Sequence, residues 1–486
     1  MNSRIFFWSL TSALAGFLFG FDTVVISGAE KTIQTLWALS PGLHGIAMAS
    51  ALYGTVVGSL IGGWPADRFG RRATLLWIGV LYFLGAVGSG LAPNVATFIA
   101  ARIIGGLGIG ISTVVAPMYI SEIAPPKHRG RLAGMFQFNI VFGILIAFVS
   151  NALLAGIGEN AWRWMLGVAA FPSLLYALFC IALPESPRWL LSRKGNREAA
   201  LQVLRRAEPD VSETQIAAEV DAIAAVSMLQ TSSTKFWTPR LVRPVLFTIS
   251  IIVLAILLSK PVLLSILIPL LAFFYFAPLW TRNLRRPVLL AILIAFFNQL
   301  SGINAILYFA PRIFELTGLG AKAALLQSIG IGLTNLVFTF VGLWLIDRLG
   351  RRTLLYIGSF GYIGSLGLTA WAFFSGHFSI VPACIFAFIA AHAIGQGAVI
   401  WVFISEIFPN RHRAEGQTLG SFTHWIFAAL LTTFFPKMVS AFPAGYVFLF
   451  FAGMMVLQLI WVKTMVPETK GVSLEQIQKQ LGIEQA

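Results

Sequence analysis

One charged hexapeptide occurs twice with a single exchange. Asp67-Arg68-Phe69-Gly70-Arg71-Arg72 returns as Asp347-Arg348-Leu349-Gly350-Arg351-Arg352, 280 positions later. Ser121-Glu122-Ile123 returns as Ser405-Glu406-Ile407 at an offset of 284, and Pro184-Glu185-Ser186 as Pro467-Glu468-Thr469 at 283. Three unrelated motifs at nearly one offset make the chain an internal duplication, so one structural unit is built twice. Apolar runs of about 20 residues, long enough to cross a bilayer as helices, define that unit. They fall at 5–29, 44–66, 73–92, 95–121, 131–155 and 162–183, then again at 287–314, 323–346, 353–374, 380–407, 416–437 and 445–466. The expected fold is an all-α polytopic membrane protein of two six-helix bundles related by a pseudo-two-fold axis.

Composition excludes the alternatives. Charged residues make up 11% of the chain and hydrophobic ones 57%, whereas a soluble domain carries roughly 25% charged residues. A β-barrel would show short alternating segments instead. A net charge of +15 would suggest nucleic acid in a soluble protein, but here Lys and Arg concentrate in alternate loops. They read as topological charges that place those loops, and with them both termini, in the cytoplasm of an inner (plasma) membrane. The run after Arg4 resembles a signal peptide, but it contains Asp22 and completes the first repeat, so it is expected to be retained.

The expected domains are a bundle over 1–184, a cytoplasmic helical linker over 185–243, an insertion over 244–286, a second bundle over 287–466 and a cytoplasmic tail over 467–486. The insertion holds two apolar arms split by Lys260-Pro261 and flanked by arginines at both ends. It is expected to enter the membrane and return as a hairpin, giving 14 helices and preserving the orientation of the second repeat.

Charges inside a span are functional candidates by default. Asp22 and Arg102 are placed at similar depth in the first and fourth spans, so they are expected to form an ion pair whose protonation moves a helix contact. The densest polar cluster is Asn298-Gln299-Leu300-Ser301-Gly302-Ile303-Asn304, followed by Tyr308. On an ideal helix Gln299 and Asn304 point about 140° apart. A local break at Gly302 would turn both amides into one cavity, where groups that donate and accept at once suit a polyol. Gln137, Asn139, Asn335, His392, Gln396, Trp401, His424 and Trp425 are further polar or aromatic residues within spans. Gly105-Gly106-Leu107-Gly108-Ile109-Gly110 lacks the strand that a dinucleotide fingerprint needs and is read as a close-packing stripe. Two cysteines, Cys180 and Cys384, and six scattered histidines give no metal or disulfide pattern. With no nucleophile–base constellation either, no enzyme activity and no cofactor are expected, the coupling ion being H⁺.

Together these residues resemble the sugar porter family of the major facilitator superfamily, in particular its bacterial proton–monosaccharide symporters of the xylose and glucose type. The resemblance is carried by Gly63 to Arg72, Pro184-Glu185-Ser186-Pro187-Arg188, Pro467-Glu468-Thr469-Lys470-Gly471, Gln299 to Asn304 and the Arg102 helix. It implies the major facilitator fold and sugar contacts at Gln137, Gln299, Asn304, Asn335 and Trp401, with Trp425 nearby. Asn298 stands where the family usually has Gln, and His424 where it usually has an amide; both are counted with the sugar contacts. Asp22 matches the acid of proton-coupled members, with Arg102 as its partner. A cytoplasmic gate is implied, formed by Arg68, Arg71, Arg72, Glu122, Arg129, Glu185 and Arg188 in the first half and by Arg348, Arg351, Arg352, Glu406, Arg413 and Glu468 in the second. The expected function is import of a hexose or pentose with protons, by a monomer that binds no nucleic acid. A passive facilitator, a proton-coupled efflux antiporter and a non-transporting sugar sensor remain the alternatives.

Overall fold

The computed structural model describes residues 3–125, 129–209, 211–231, 276–409, 412–472 and 474–483. Among them are twelve helical segments long and apolar enough to cross a membrane, and no β-strand. We number these segments in chain order: α1 (Ser3–Leu36), α2 (Pro41–Ile61), α3 (Arg71–Leu91), α4 (Val95–Ile123), α5 (Arg129–Leu154), α6 (Ala161–Ile181), α7 (Arg282–Tyr308), α8 (Ala321–Leu349), α9 (Arg351–Ser375), α10 (Phe378–Ile407), α11 (Arg413–Ala441) and α12 (Ala444–Met465). Shorter helices Pro187–Lys194, Arg197–Ala207 and Glu213–Thr231 follow α6. The hairpin expected over 244–286 lies, up to residue 275, outside the described residues.

Within the first six segments, α1 packs along α5 and α2 along α4; within the last six, α9 packs along α10 and α12. The two sets meet chiefly through α2 against α11 and α5 against α8. The glycine stripe of α4 works as a packing surface. Gly54 of α2 and Gly106 of α4 lie where a methyl group would collide with the backbone of the facing helix, so the two rods touch closely and hold α4 at a fixed depth.

Three segments are interrupted: α6 at Val168-Ala169, and α7 and α10 each at a glycine. α7 is helical over Arg285–Leu300 and again over Ile303–Tyr308, and a third piece, Ala310–Glu315, extends it beyond Tyr308 and is counted with it below. The first break sits at Gly302, whose φ of +90° favours glycine, and an added Cβ would lie 2.8 Å from the Phe451 ring. α10 breaks at Gly395, between Val381–Ile394 and Gln396–Ile407.

One boundary differs from the sequence reading. α1 continues to Leu36, past the apolar run that ended at 29. Glu30, Lys31 and Gln34 end the apolar pattern, yet they stay helical because each has a side-chain partner on α7.

Candidate functional site

The break at Gly302 does what the spacing anticipated. Freed from ideal helix geometry, Asn304 Nδ2 donates to Gln299 Oε1 at 2.6 Å, and Gln299 Nε2 donates to Asn298 Oδ1 at 2.9 Å. Gln299 Nε2 also lies 3.1 Å from both ring nitrogens of His424 on α11. The three amides and the imidazole form one buried polar network with its edge on a cavity of about 130 Å³ between the two sets of helices.

All eight expected sugar contacts line that cavity: Gln137 from α5, Asn298, Gln299 and Asn304 from α7, Asn335 from α8, Trp401 from α10, and His424 and Trp425 from α11. Phe19, Trp401, His424 and Trp425 form an aromatic wall. Trp401 and His424 ring centroids are 5.1 Å apart, His424 and Trp425 4.7 Å, and Phe19 meets Trp425 edge-on at 5.3 Å across the two halves. Trp425 is 3% exposed, and its Nε1–H has no partner among the described residues. None of the lining residues is an acid, a lysine or an arginine. A wall of amides, indole donors and ring faces with no fixed charge suits a neutral polyhydroxylated solute, whose C–H faces stack while its hydroxyls pair.

The ion pair forms as expected, behind the wall. Arg102 Nη1 lies 2.5 Å from Asp22 Oδ1, and Arg102 Nη2 donates to the Asp22 carbonyl at 3.3 Å. Both residues are buried. Asp22 Oδ2 and Arg102 Nε have no partner among the described residues, so the pair is only half satisfied. Thr23 and Phe19, on either side of Asp22 in sequence, line the cavity. One turn of α1 thus carries cavity-lining side chains and, about 60–100° further round the helix, the carboxylate that meets Arg102.

The repeated loop motifs fold into two matching clusters. Arg71 makes a fork to Glu122 (Nε–Oε2 2.9 Å, Nη2–Oε1 3.0 Å), and Arg351 makes the same fork to Glu406 (3.1 and 2.8 Å). Glu185 accepts the backbone N–H of Arg71 at 2.8 Å and Glu468 that of Arg351 at 2.9 Å. Each carboxylate thereby caps the positive end of a helix, α3 or α9. Gly70 (φ +100°) and Gly350 (φ +91°) make room, since a Cβ there would come within 2.1 or 2.6 Å of the carboxylate.

The two carboxyls differ in acidity. Burial pushes Glu185 above the ordinary carboxylate range despite its hydrogen bonds. Burial also acts on Glu468, but four backbone N–H donors, from Lys470, Arg351, Arg352 and Thr469, outweigh it and hold Glu468 below that range.

Arg72 and Arg352 donate to the carbonyls of Ile181 and Lys463. Arg68 packs over Trp64 and Phe69, and Arg348 over Trp344 at 3.9 Å. Arg188 is exposed, two guanidinium nitrogens of Arg413 have no partner among the described residues, and the Arg129 side chain lies outside them. Among the described residues, no ion pair in these clusters joins the first bundle to the second; Arg193, on the helix that follows α6, reaches back to Asp67.

Some lining residues were not singled out as contacts. His392, whose Nδ1 lies 2.7 Å from the Tyr362 hydroxyl, and Thr339 both reach the cavity; the position of Thr339 one turn after Asn335 was the available signal. Conversely, Asn139 turns back to the Met135 carbonyl of its own helix, and Gln396 pairs with Gln458 inside the second bundle.

Among the described residues, twelve membrane-length helices in two bundles, with a neutral polar cavity at their interface, define a multi-pass membrane protein of the major facilitator fold. A family model described as "Sugar (and other) transporter" matches residues 8–259 and 273–481, and the chain belongs to that family. It is 33% identical over 481 residues to the arabinose-proton symporter of Bacillus subtilis, which covers 97% of this chain and 94% of the relative. It is 32% identical over 516 residues to the D-xylose-proton symporter of Escherichia coli K12, with 98% and 96% covered. Among solved structures, the partially occluded inward-open form of the E. coli xylose transporter XylE superposes with a TM-score of 0.78 at 29% identity, over 97% of this chain and 100% of that one.

Proposed function

We propose that the protein imports a monosaccharide, a hexose or a pentose, together with protons across the inner (plasma) membrane by alternating access. The observation that carries this reading is the adjacency on α1 of the cavity-lining side chains and the ion-paired carboxylate. Thr23 and Phe19 face the cavity while Asp22, between them, faces Arg102. With Asp22 ionised, the pair ties α1 to α4. A proton on Asp22 removes the charge, leaves Arg102 without its partner and frees α1 to shift, and with α1 moves one wall of the sugar site. A carboxylate in low dielectric is suited to this, because its charge state changes a helix contact by several kcal/mol.

In this reading the sugar is held by Gln137, Asn298, Gln299, Asn304, Asn335 and His424 and stacked by Trp401 and Trp425. The moving units are the bundles over 1–184 and 287–466, joined by the linker 185–243 and followed by the tail 467–486. The concentration of Lys and Arg in these loops supports a cytoplasmic position for the Arg71 and Arg351 clusters and for both termini. There the clusters act as two halves of a gate that closes the inner side when the outer side opens. The protein works as a monomer.

Two measurements in sealed vesicles test the reading. Wild type should accumulate sugar against its gradient when an inward proton gradient is imposed. Asp22→Asn should lose accumulation while retaining sugar exchange. Accumulation that persists in Asp22→Asn would reject the coupling role, and exchange without accumulation in the wild type would make the protein a passive facilitator.

A further inference from the structure

A third ion cluster, on the face opposite the basic loops, does join the two halves. Glu30 on α1 is 2% exposed. Its Oε1 lies 3.0 Å from Arg312 Nη2, on the last piece of α7, and 2.5 Å from His44 Nε2 on α2. Arg312 also donates to the Gln34 carboxamide. At the rim, Lys31 pairs with Glu315 at 2.6 Å, and the His44 ring meets Phe309 edge-on at 6.3 Å.

The two partners of Glu30 differ in kind. His44 belongs to the first half, as Glu30 does, and travels with it. Arg312 belongs to the second half and sits on a helical piece that the breaks at Gly302 and Phe309 separate from the rest of α7. Opening this face must draw Arg312 away from a buried carboxylate, which His44 alone then keeps hydrogen-bonded. We propose that Glu30 and Arg312 are positioning residues of the transport cycle: they form an outer lock that holds the last piece of α7 against α1 and biases the protein toward the state closed on that face. Lys31–Glu315, with Lys31 67% exposed, adds little, as surface pairs do.

The lock rests on the transport reading for its place in a cycle, but its test needs neither sugar nor protons. Leu307, which lines the cavity, is changed to Cys in a background carrying Cys180→Ser and Cys384→Ser. Labelling by a membrane-impermeant thiol reagent added to intact cells then reports opening of the outer face. Arg312→Gln and Glu30→Gln should each raise the labelling rate about five-fold or more. The double variant should match the single ones rather than multiply them, because both remove one contact. Lys31→Ala should leave the rate near wild type. Unchanged labelling in Arg312→Gln, or an equal rise in Lys31→Ala, overturns the lock. Should Arg312→Gln fail to reach the membrane, Arg312→Lys, which keeps the charge but loses the planar fork, must still raise labelling. A shift in labelling in a protein that does not accumulate sugar would uphold the lock and sink the symport reading instead.

Discussion

The two halves share an ancestry in sequence but have divided the chemistry. The motif offsets pair the end of α4 with the end of α10, and the loop before α3 with the loop before α9. In the first half, α1 and α4 are each one unbroken helix, and a buried ion pair links them. In the second half, α7 and α10 break at Gly302 and Gly395, and amides take the place of charge. The residue 280 positions after Asp22 is Gly302. A switchable ion pair requires two rods that keep their relative depth. A site for hydroxyl groups requires several short polar side chains converging from one wall, which an ideal helix cannot provide. In the reading proposed above, one repeat is the coupling half and the other the main binding half, with Thr23 and Gln137 the polar contributions of the first half to the cavity wall.

Substitutions in the coupling half should have the largest effects. Arg102→Leu leaves Asp22 buried without its cation, an imbalance that typically costs about 3–5 kcal/mol. The variant should be recovered from membranes at a small fraction of wild-type yield. Adding Asp22→Asn should restore the yield, since both charges are then gone, but not proton-driven accumulation. If the double variant accumulates sugar, coupling lies elsewhere and the division between halves is wrong. In the binding half, Gln299→Ala removes the amide that holds Asn304 and reaches His424. Losing hydrogen bonds worth about 1–3 kcal/mol should raise KM roughly 5- to 150-fold in exchange assays. The pH dependence of accumulation should be unmoved. A variant with unchanged KM and altered pH dependence would reverse the assignment.

Much of this was legible in the sequence because it rests on local spacing. Gln299 and Asn304, five apart with Gly302 between them, announce a break that turns both amides inward, and the duplicated loops announce matching clusters. Asp22 and Arg102 were paired from depth alone, although α1 runs further than its apolar stretch. What was not legible depends on contacts between distant residues with no repeat to advertise them. Glu30, Lys31 and Gln34 read as the end of a span; only Arg312 and Glu315, some 280 residues on, explain why they stay helical and why Glu30 is buried. Nor does the sequence separate Gln137, which faces the cavity, from Asn139, which bonds its own helix. Two positions on a helix turn a side chain by about 200°, and which face meets the cavity is decided by packing.

The smallest effect expected compares the inner clusters themselves. Glu185 and Glu468 occupy matching places, yet burial raises the first while the four backbone donors lower the second. A carboxyl whose folded pKa is raised weakens the fold when ionised, and this penalty is relieved as pH falls through the raised value. A carboxyl whose folded pKa is lowered stabilises the fold above its unfolded value, and that contribution disappears as acid takes the pH down through the lowered one. At neutral pH, Glu468→Gln should therefore lower the melting temperature of the detergent-purified protein by more than Glu185→Gln does. The gap should narrow as the pH is brought below the ordinary carboxylate range, because both native side chains are then becoming neutral. Equal losses at pH 7, or a larger loss for Glu185→Gln, would mean that the helix-capping geometry shared by the two sites outweighs the difference in their surroundings.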